Sequence, residues 1–127
     1  MIASAISNPP GSRACELGGS CGVPGLIAVA QTSDGSVANV SAVSKGLVDS
    51  GLATADIVHW AYTGEGLYFR NRPLKNLRVI ANLYPETLHL VVRRGAGIAG
   101  IRDLIGKRVS LDKPASGTRV NSEIVLA

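Results

Sequence analysis

Apolar residues in this chain form two kinds of pattern, short continuous runs and sets with helical spacing. Runs of strand length predict β-strands at residues 2–6, 26–30, 77–83, 88–92 and 109–111. Between residues 37 and 47, four apolar residues recur in steps of three or four, as on one face of a helix. Ser36 is the predicted N-cap of this helix and Gly46 its stop.

Further helices are predicted at residues 55–62, at residues 101–105 and from residue 117 onward, whereas residues 63–73 are polar and rich in turn formers. Strands that alternate with helices are typical of an α/β fold in which neighbouring strands are parallel. We therefore expect an α/β domain with a mostly parallel sheet.

Composition narrows the range of functions. The chain has 127 residues, enough for one domain or for one lobe and part of another. Hydrophobic residues make up 46% and aromatic residues only 4%, so the core must be aliphatic. No apolar run is long enough to span a membrane. The net charge of +4 comes from scattered residues without interleaved aromatics, which disfavours a nucleic-acid surface and favours attraction of small acidic molecules.

Two polar loops carry the candidate chemistry. Residues 31–36 and 114–118 each follow an apolar run and open a predicted helix, and both contain hydroxyls and glycine. Free N–H groups at a helix N-terminus bind anions, and ligands of open α/β sheets lie at the carboxyl ends of the strands. The alternative is simple helix capping, which Ser and Thr provide in any protein. Because the loop type occurs twice, we expect a small-molecule site.

The two cysteines, Cys15 and Cys21, leave two interpretations open. Five residues separate them, two of which are glycines, so a disulfide is possible; two free thiols in a reducing compartment are the alternative. Two thiols without further local ligands cannot complete a zinc site. We expect neither a metal nor a cofactor.

An enzymatic alternative rests on Ser20, which lies in a G-x-S-x-G sequence with His59 and His89 available as bases. A nucleophile elbow needs a strand before the serine and a helix after it, and the flanking residues predict neither. A serine hydrolase is therefore the alternative function. A secreted antigenic or interaction module without a small ligand is a third.

Four segments, taken in order, are similar to a known family. They are residues 32–39 (TSDGSVAN); 52–57 (LATADI) with 61–66 (AYTGEG); 73–78 (PLKNLR) with 83–86 (LYPE) and 89–92 (HLVV); and 103–110 (DLIGKRVS) with 116–118 (SGT). With these segments the chain resembles the TAXI family, the solute-binding receptors of tripartite ATP-independent periplasmic (TRAP) transporters.

The resemblance implies a non-catalytic periplasmic receptor with the type II architecture of periplasmic binding proteins. Residues 1–92 would be the first α/β lobe, and residues 93–127 the hinge and the beginning of a second lobe that continues further along the chain. Such a receptor, its leader removed, closes on a small organic acid or amino acid and presents it to the TRAP membrane permease subunits. Neither nucleic acid nor direct membrane insertion is expected.

The resemblance also implies a set of ligand-binding residues in the matching loops. They are Asp34, Gly35, Ser36, Thr54, Asp56, Tyr84, Glu86, Ser116, Gly117 and Thr118. Hydroxyls and N–H groups at the helix starts would receive the carboxylate of the solute, and Tyr84 would offer its ring face and one hydrogen bond.

Overall fold

The computed structural model describes residues 7–8 and 22–127, and the chain divides into two units, residues 1–32 and residues 33–127. In the first unit, β1 (Ser7–Asn8) pairs in parallel with β2 (Val23–Pro24). The hydroxyl of Ser7 accepts a hydrogen bond from the N–H of Ala28 at 2.8 Å and donates one to its carbonyl at 3.2 Å. The strand predicted at residues 2–6 lies outside the described residues.

The helices of the described residues lie in the second unit. They are α1 (Ser36–Ser44), α2 (Ala55–Thr63), α3 (Gly66–Phe69), a 3-10 helix (Ile101–Leu104) and α4 (Gly117–Leu126). The four helices predicted in this unit are thus confirmed, that at residues 101–105 as a single 3-10 turn. Helix α3 was not predicted, because it lies in a turn-rich stretch and owes its place to the burial of Phe69. None of the helices in residues 22–127 combines the length and the apolar character needed to cross a bilayer.

Helix α1 begins one residue away from the predicted start. Its N-cap is Gly35, and Ser36 is its first helical residue rather than the cap. The hydroxyl of Ser36 instead accepts a hydrogen bond from the N–H of Thr54 at 3.1 Å. This bond to another loop replaces the bond to its own helix that the sequence pattern predicts.

The stop at Gly46 is confirmed, and its geometry explains why glycine lies there. Gly46 has φ +68°, and its N–H donates to the carbonyl of Val43 while the N–H of Leu47 donates to that of Ala42. These two bonds form a Schellman motif, which needs a left-handed residue after the helix. Leu47 therefore lies beyond the helix and is exposed, although its spacing fits the apolar face.

The core is a small cluster between the helices, aliphatic except for one phenylalanine. It is made of Val37, Val40, Ile57, Ala61, Phe69, Leu77 and Val120. Ile57 is 1% exposed and Ala61 is fully buried, one turn apart on the inner face of α2. The cluster therefore holds the N-terminal halves of α1, α2 and α4 together, and these three helix starts build the site described below.

The segments predicted as strands at residues 26–30, 77–83, 88–92 and 109–111 contain no strand in the structure. Their apolar side chains are largely exposed: 90% for Ile80 and 86% for Val91. A strand is stabilised by hydrogen bonds to a neighbouring strand, and within the described residues none pairs with these segments. The mostly parallel sheet, like the lobe boundary at residue 92, stays a prediction.

Candidate functional site

A cavity of about 310 Å³ lies where three helices begin. Gly35 and Ser36 start α1, Thr54 is the N-cap of α2, and Ser116 is the N-cap of α4. The complete lining is Ser33, Asp34, Gly35, Ser36, Thr54, Glu86, Asp112, Lys113, Ser116, Gly117 and Thr118. All of these residues belong to the second unit of the chain.

Two glycines allow the loops around this cavity to approach each other. Gly35 has φ +120° and ψ −159°, a conformation almost restricted to glycine, and a Cβ there would lie 2.8 Å from Cα of Ser116. A Cβ on Gly117 would lie 2.9 Å from the hydroxyl oxygen of Ser36 and 3.0 Å from that of Thr54. Position 35 therefore requires glycine, whereas a side chain at position 117 would have to displace the hydroxyls of Ser36 and Thr54.

Backbone hydrogen bonds fix the same loops. The N–H of Ala38, in the first turn of α1, donates to the carbonyl of Ala115 at 3.2 Å, so the loop before α4 is tied to the start of α1. The loop before α2 is tied to it as well, through the bond between the N–H of Thr54 and the hydroxyl of Ser36. The three helix starts thus form one connected structure.

The three hydroxyl residues of these helix starts have different roles. Ser116 is 4% exposed and caps α4, its hydroxyl accepting from the N–H of Arg119 at 3.0 Å. The capping interpretation is therefore confirmed for Ser116. The hydroxyls of Ser36 and Thr54 form no capping hydrogen bond with their own helices. The buried hydroxyl of Thr54 has no hydrogen-bond partner among the described residues. A buried hydroxyl without a partner is uncommon, and here it lies beside the cavity.

Charged side chains surround the mouth of the cavity. The ammonium of Lys113 lies 3.0 Å from the Asp34 carboxylate, and both side chains are more than half exposed. Its hydrogen bond to Asp34, with the charge of that carboxylate, raises the pKa of Lys113 above its ordinary value. Glu86 and Asp112 add two carboxylates that form no ion pair within the described part of the chain. The lining therefore carries one cation and three anions together with the starts of three helices.

Eight of the ten predicted ligand-binding residues line this one cavity: Asp34, Gly35, Ser36, Thr54, Glu86, Ser116, Gly117 and Thr118. Asp56 and Tyr84 are not part of the lining. The Asp56 carboxylate accepts a hydrogen bond from the N–H of Ile57 at 2.8 Å and so serves the first turn of α2. Tyr84 is 72% exposed.

Three lining residues were not predicted, namely Ser33, Asp112 and Lys113. Ser33 accepts from the N–H of Gly35 at 3.2 Å and lies inside a loop that was recognised, so its hydroxyl could have been included. Asp112 and Lys113 directly precede the second loop. Their charge alone gives no signal, because most exposed charged residues only face solvent.

The enzymatic and disulfide hypotheses involve Ser20, the two histidines and the two cysteines. Ser20, Cys15 and Cys21 lie outside the described residues. His59 and His89 do not line the cavity, and His59 instead lies 3.5 Å from the carboxylate of Glu65. Within the described residues, no group of acidic, histidine or cysteine side chains could hold a metal ion.

Comparison with known proteins identifies the family. Residues 22–127, which include every residue of the cavity lining, match the model of the NMT1-like family. The chain belongs to the NMT1-like family. This family is associated with periplasmic solute-binding proteins and is a binding-protein family, not an enzymatic one. No solved structure matches the chain.

Membership of the NMT1-like family gives the cavity its functional context. The prediction of a non-catalytic solute-binding protein is confirmed at the level of the family. In an NMT1-like chain, a cavity formed by polar loops at helix starts is the natural candidate for the place where the solute binds.

Proposed function

We propose that this protein is a periplasmic solute-binding receptor of the TAXI type, which captures a small organic acid or amino acid for a TRAP transporter. The four resembling segments support the TAXI assignment, and membership of the NMT1-like family supports solute binding. The proposal includes a type II α/β lobe in residues 1–92 and a hinge with the start of a second lobe in residues 93–127. It also includes delivery of the solute to the permease subunits in the membrane.

The observation that carries this proposal is the convergence of three helix N-termini on one cavity. The first N–H groups of each helix lack partners inside the helix, and each helix dipole places partial positive charge at that end. Helices α1, α2 and α4 have nine, nine and ten residues, so each has at least two turns of aligned peptide dipoles. A carboxylate in the cavity would accept from several of these N–H groups at once.

Side chains at the helix starts add specific donors to this backbone site. Thr118 is exposed on the lining, and the buried hydroxyl of Thr54, another lining residue, lacks a hydrogen-bond partner within the described part of the chain. Hydrogen bonds from hydroxyl donors to a carboxylate are stronger than those between neutral groups. The site therefore favours an acid over its neutral amide.

Isothermal titration of the full chain with dicarboxylates, keto acids and acidic amino acids tests the proposal. We expect at least one acid to bind and its amide to bind at least about tenfold more weakly, since a hydrogen bond to a charged group is worth about 1.5–3 kcal/mol. Absence of binding across the whole panel would count against solute capture and in favour of an interaction module without a ligand.

A matched pair of threonine variants locates the binding. Thr118→Val removes one lining hydroxyl at nearly constant shape, and we expect it to weaken acid binding about tenfold. Thr87→Val makes the same change at an exposed residue outside the lining and is expected to leave binding unchanged. Equal effects of the two variants would show that the acid binds elsewhere.

A further inference from the structure

The ion pair at the mouth of the cavity joins the two loops that open α1 and α4. Lys113 is the one cationic side chain of the lining among residues 22–127. Its ammonium donates a hydrogen bond to the carboxylate of Asp34. The side chain of Lys113 is 65% exposed and that of Asp34 is 59% exposed. The cavity thus has a single cation, and a carboxylate of the protein itself occupies it.

The backbones on both sides of this ion pair are fixed, so only the side chains can rearrange. The N–H of Ser116 donates to the carbonyl of Lys113 at 3.1 Å and closes a turn with Pro114 at its second position. On the other side, Asp34 is followed by Gly35, which is packed against Ser116. The lysine side chain, with its long flexible stem, can therefore exchange partners while the loops stay in place.

We propose that Lys113 binds the carboxylate of the solute. Without solute Lys113 pairs with Asp34, and the solute carboxylate displaces Asp34 from it. This inference rests on the proposed function and assigns the roles of two residues within it. Asp34 then acts as an internal competitor of the solute instead of a direct ligand.

The balance of interactions favours this exchange when an acid enters. Exposed ion pairs stabilise proteins little, because water screens them and two side chains lose freedom. Releasing Asp34 to solvent therefore costs little. The incoming carboxylate gains the ammonium of Lys113 together with the N–H groups at the helix starts, to which the Asp34 side chain forms no hydrogen bond within residues 22–127.

A double-mutant cycle tests the exchange, with succinate, 2-oxoglutarate and glutamate as probes in isothermal titration. Lys113→Met should weaken binding of the acid about tenfold or more, because it removes a charge-assisted hydrogen bond. Asp34→Asn should tighten binding several-fold, because the lysine loses its competitor. In the Lys113→Met background, Asp34→Asn should give little or no gain, and this coupling is the signature of the exchange.

Asp112→Asn is the matched control for the charge itself. It removes another carboxylate from the same mouth, next to Lys113 but without a hydrogen bond to it. Asp112 acts on Lys113 only through its charge, so we expect a smaller gain in affinity that depends less on Lys113 than the gain of Asp34→Asn does. Circular dichroism of each variant checks that the fold is kept, as expected for exposed side chains.

The outcomes separate this inference from the function on which it rests. If the wild-type protein binds an acid and Lys113→Met binds it equally well, the role of Lys113 is wrong and solute capture stands. If Asp34→Asn tightens binding equally in both backgrounds, Asp34 acts only through its charge and the exchange is wrong. If neither wild type nor Asp34→Asn binds any probe, the proposed function fails, and the exchange fails with it.

Discussion

Two apolar regions of the second unit end in opposite environments. In the helical cluster of α1, α2 and α4, the apolar side chains that face the shared core are buried, with Ile57 only 1% exposed. In the apolar segment, residues 78–92, isoleucine and valine are just as frequent, yet Ile80 is 90% exposed. A helix satisfies its own backbone and needs a partner only for its apolar face, whereas a strand needs a partner for its backbone as well. The difference lies in what each type of element requires from its neighbours.

The lining of the candidate site contains residues supported by both of these regions. Most of the cavity lining comes from loops that the helical cluster holds in place, while Glu86 comes from the apolar segment. The side of the cavity formed by helix starts is fixed by interlocked loops and hydrogen bonds. The position of Glu86 instead depends on a segment without regular hydrogen bonds. We therefore expect the helix starts to provide most of the binding energy.

The largest expected effect comes from a comparison of two isoleucine variants, one in each region. Ile57→Ala leaves a cavity in the core and should lower the free energy of unfolding by about 2–5 kcal/mol, which urea denaturation measures. Ile80→Ala changes a side chain that is mostly in water and should stay within about 0.5 kcal/mol of the wild type. A loss for Ile80→Ala as large as that for Ile57→Ala would mean that Ile80 is buried in solution, and the contrast between the regions would fail.

A second test asks whether the site depends on the close approach of its loops. Gly35→Ala forces an alanine into a conformation that costs about 1–3 kcal/mol and brings its Cβ against Cα of Ser116. We expect a lower melting temperature together with loss of acid binding, measured by calorimetry and titration. Both effects have one cause, since the loops can no longer meet.

Gly46→Ala is the control for positive φ without a clash. Gly46 also has φ +68°, but a Cβ there meets nothing within 4 Å. This variant should cost about 1–2 kcal/mol of stability and leave the binding constant unchanged. Loss of binding in Gly46→Ala would show that the site responds to any weakening of α1, not to the contact between the loops.

The helices and most of the candidate site could be predicted because their signals are local. The helical spacing of the apolar residues between 37 and 47 and the stop at Gly46 are readable from a few consecutive residues, and so are the loops of small hydroxyl residues that open α1 and α4. Asp56 was assigned to the ligand through the family resemblance; in the structure its carboxylate accepts a hydrogen bond from the N–H of Ile57, in its own helix.

What could not be predicted depends on distant residues. An apolar run such as residues 88–92 indicates that burial would be favourable but not which neighbour provides it, and here no strand in the described residues does. Lys113 is similar, because its partner Asp34 lies 79 residues earlier in the chain. Their ion pair can be recognised only once the two loops lie side by side.

The smallest expected effect concerns the 3-10 helix at Ile101–Leu104. The helical cluster is held by packing in the core, whereas a single exposed carboxylate fixes the start of this 3-10 helix. One oxygen of Asp103 accepts from the N–H groups of Ala99 and Gly100, at 2.8 and 2.9 Å, and these bonds lower the pKa of Asp103. A lowered pKa in the folded state means that the carboxylate stabilises the turn above its ordinary pKa. That contribution is lost as the pH falls from the ordinary pKa of an aspartate through the lowered pKa of Asp103.

We therefore expect acid to loosen this turn without loosening α1 or α2. Protection factors of the Ala99 and Gly100 amides, measured by hydrogen exchange, should fall as the pH drops below about 4. In Asp103→Asn they should be lower at neutral pH and lose this dependence, whereas Asp49→Asn, at another exposed carboxylate, should preserve it. Parallel loss of protection in α2 would mean that acid unfolds the whole unit, because the amides of α2 are held by packing around Ile57 and do not depend on Asp103.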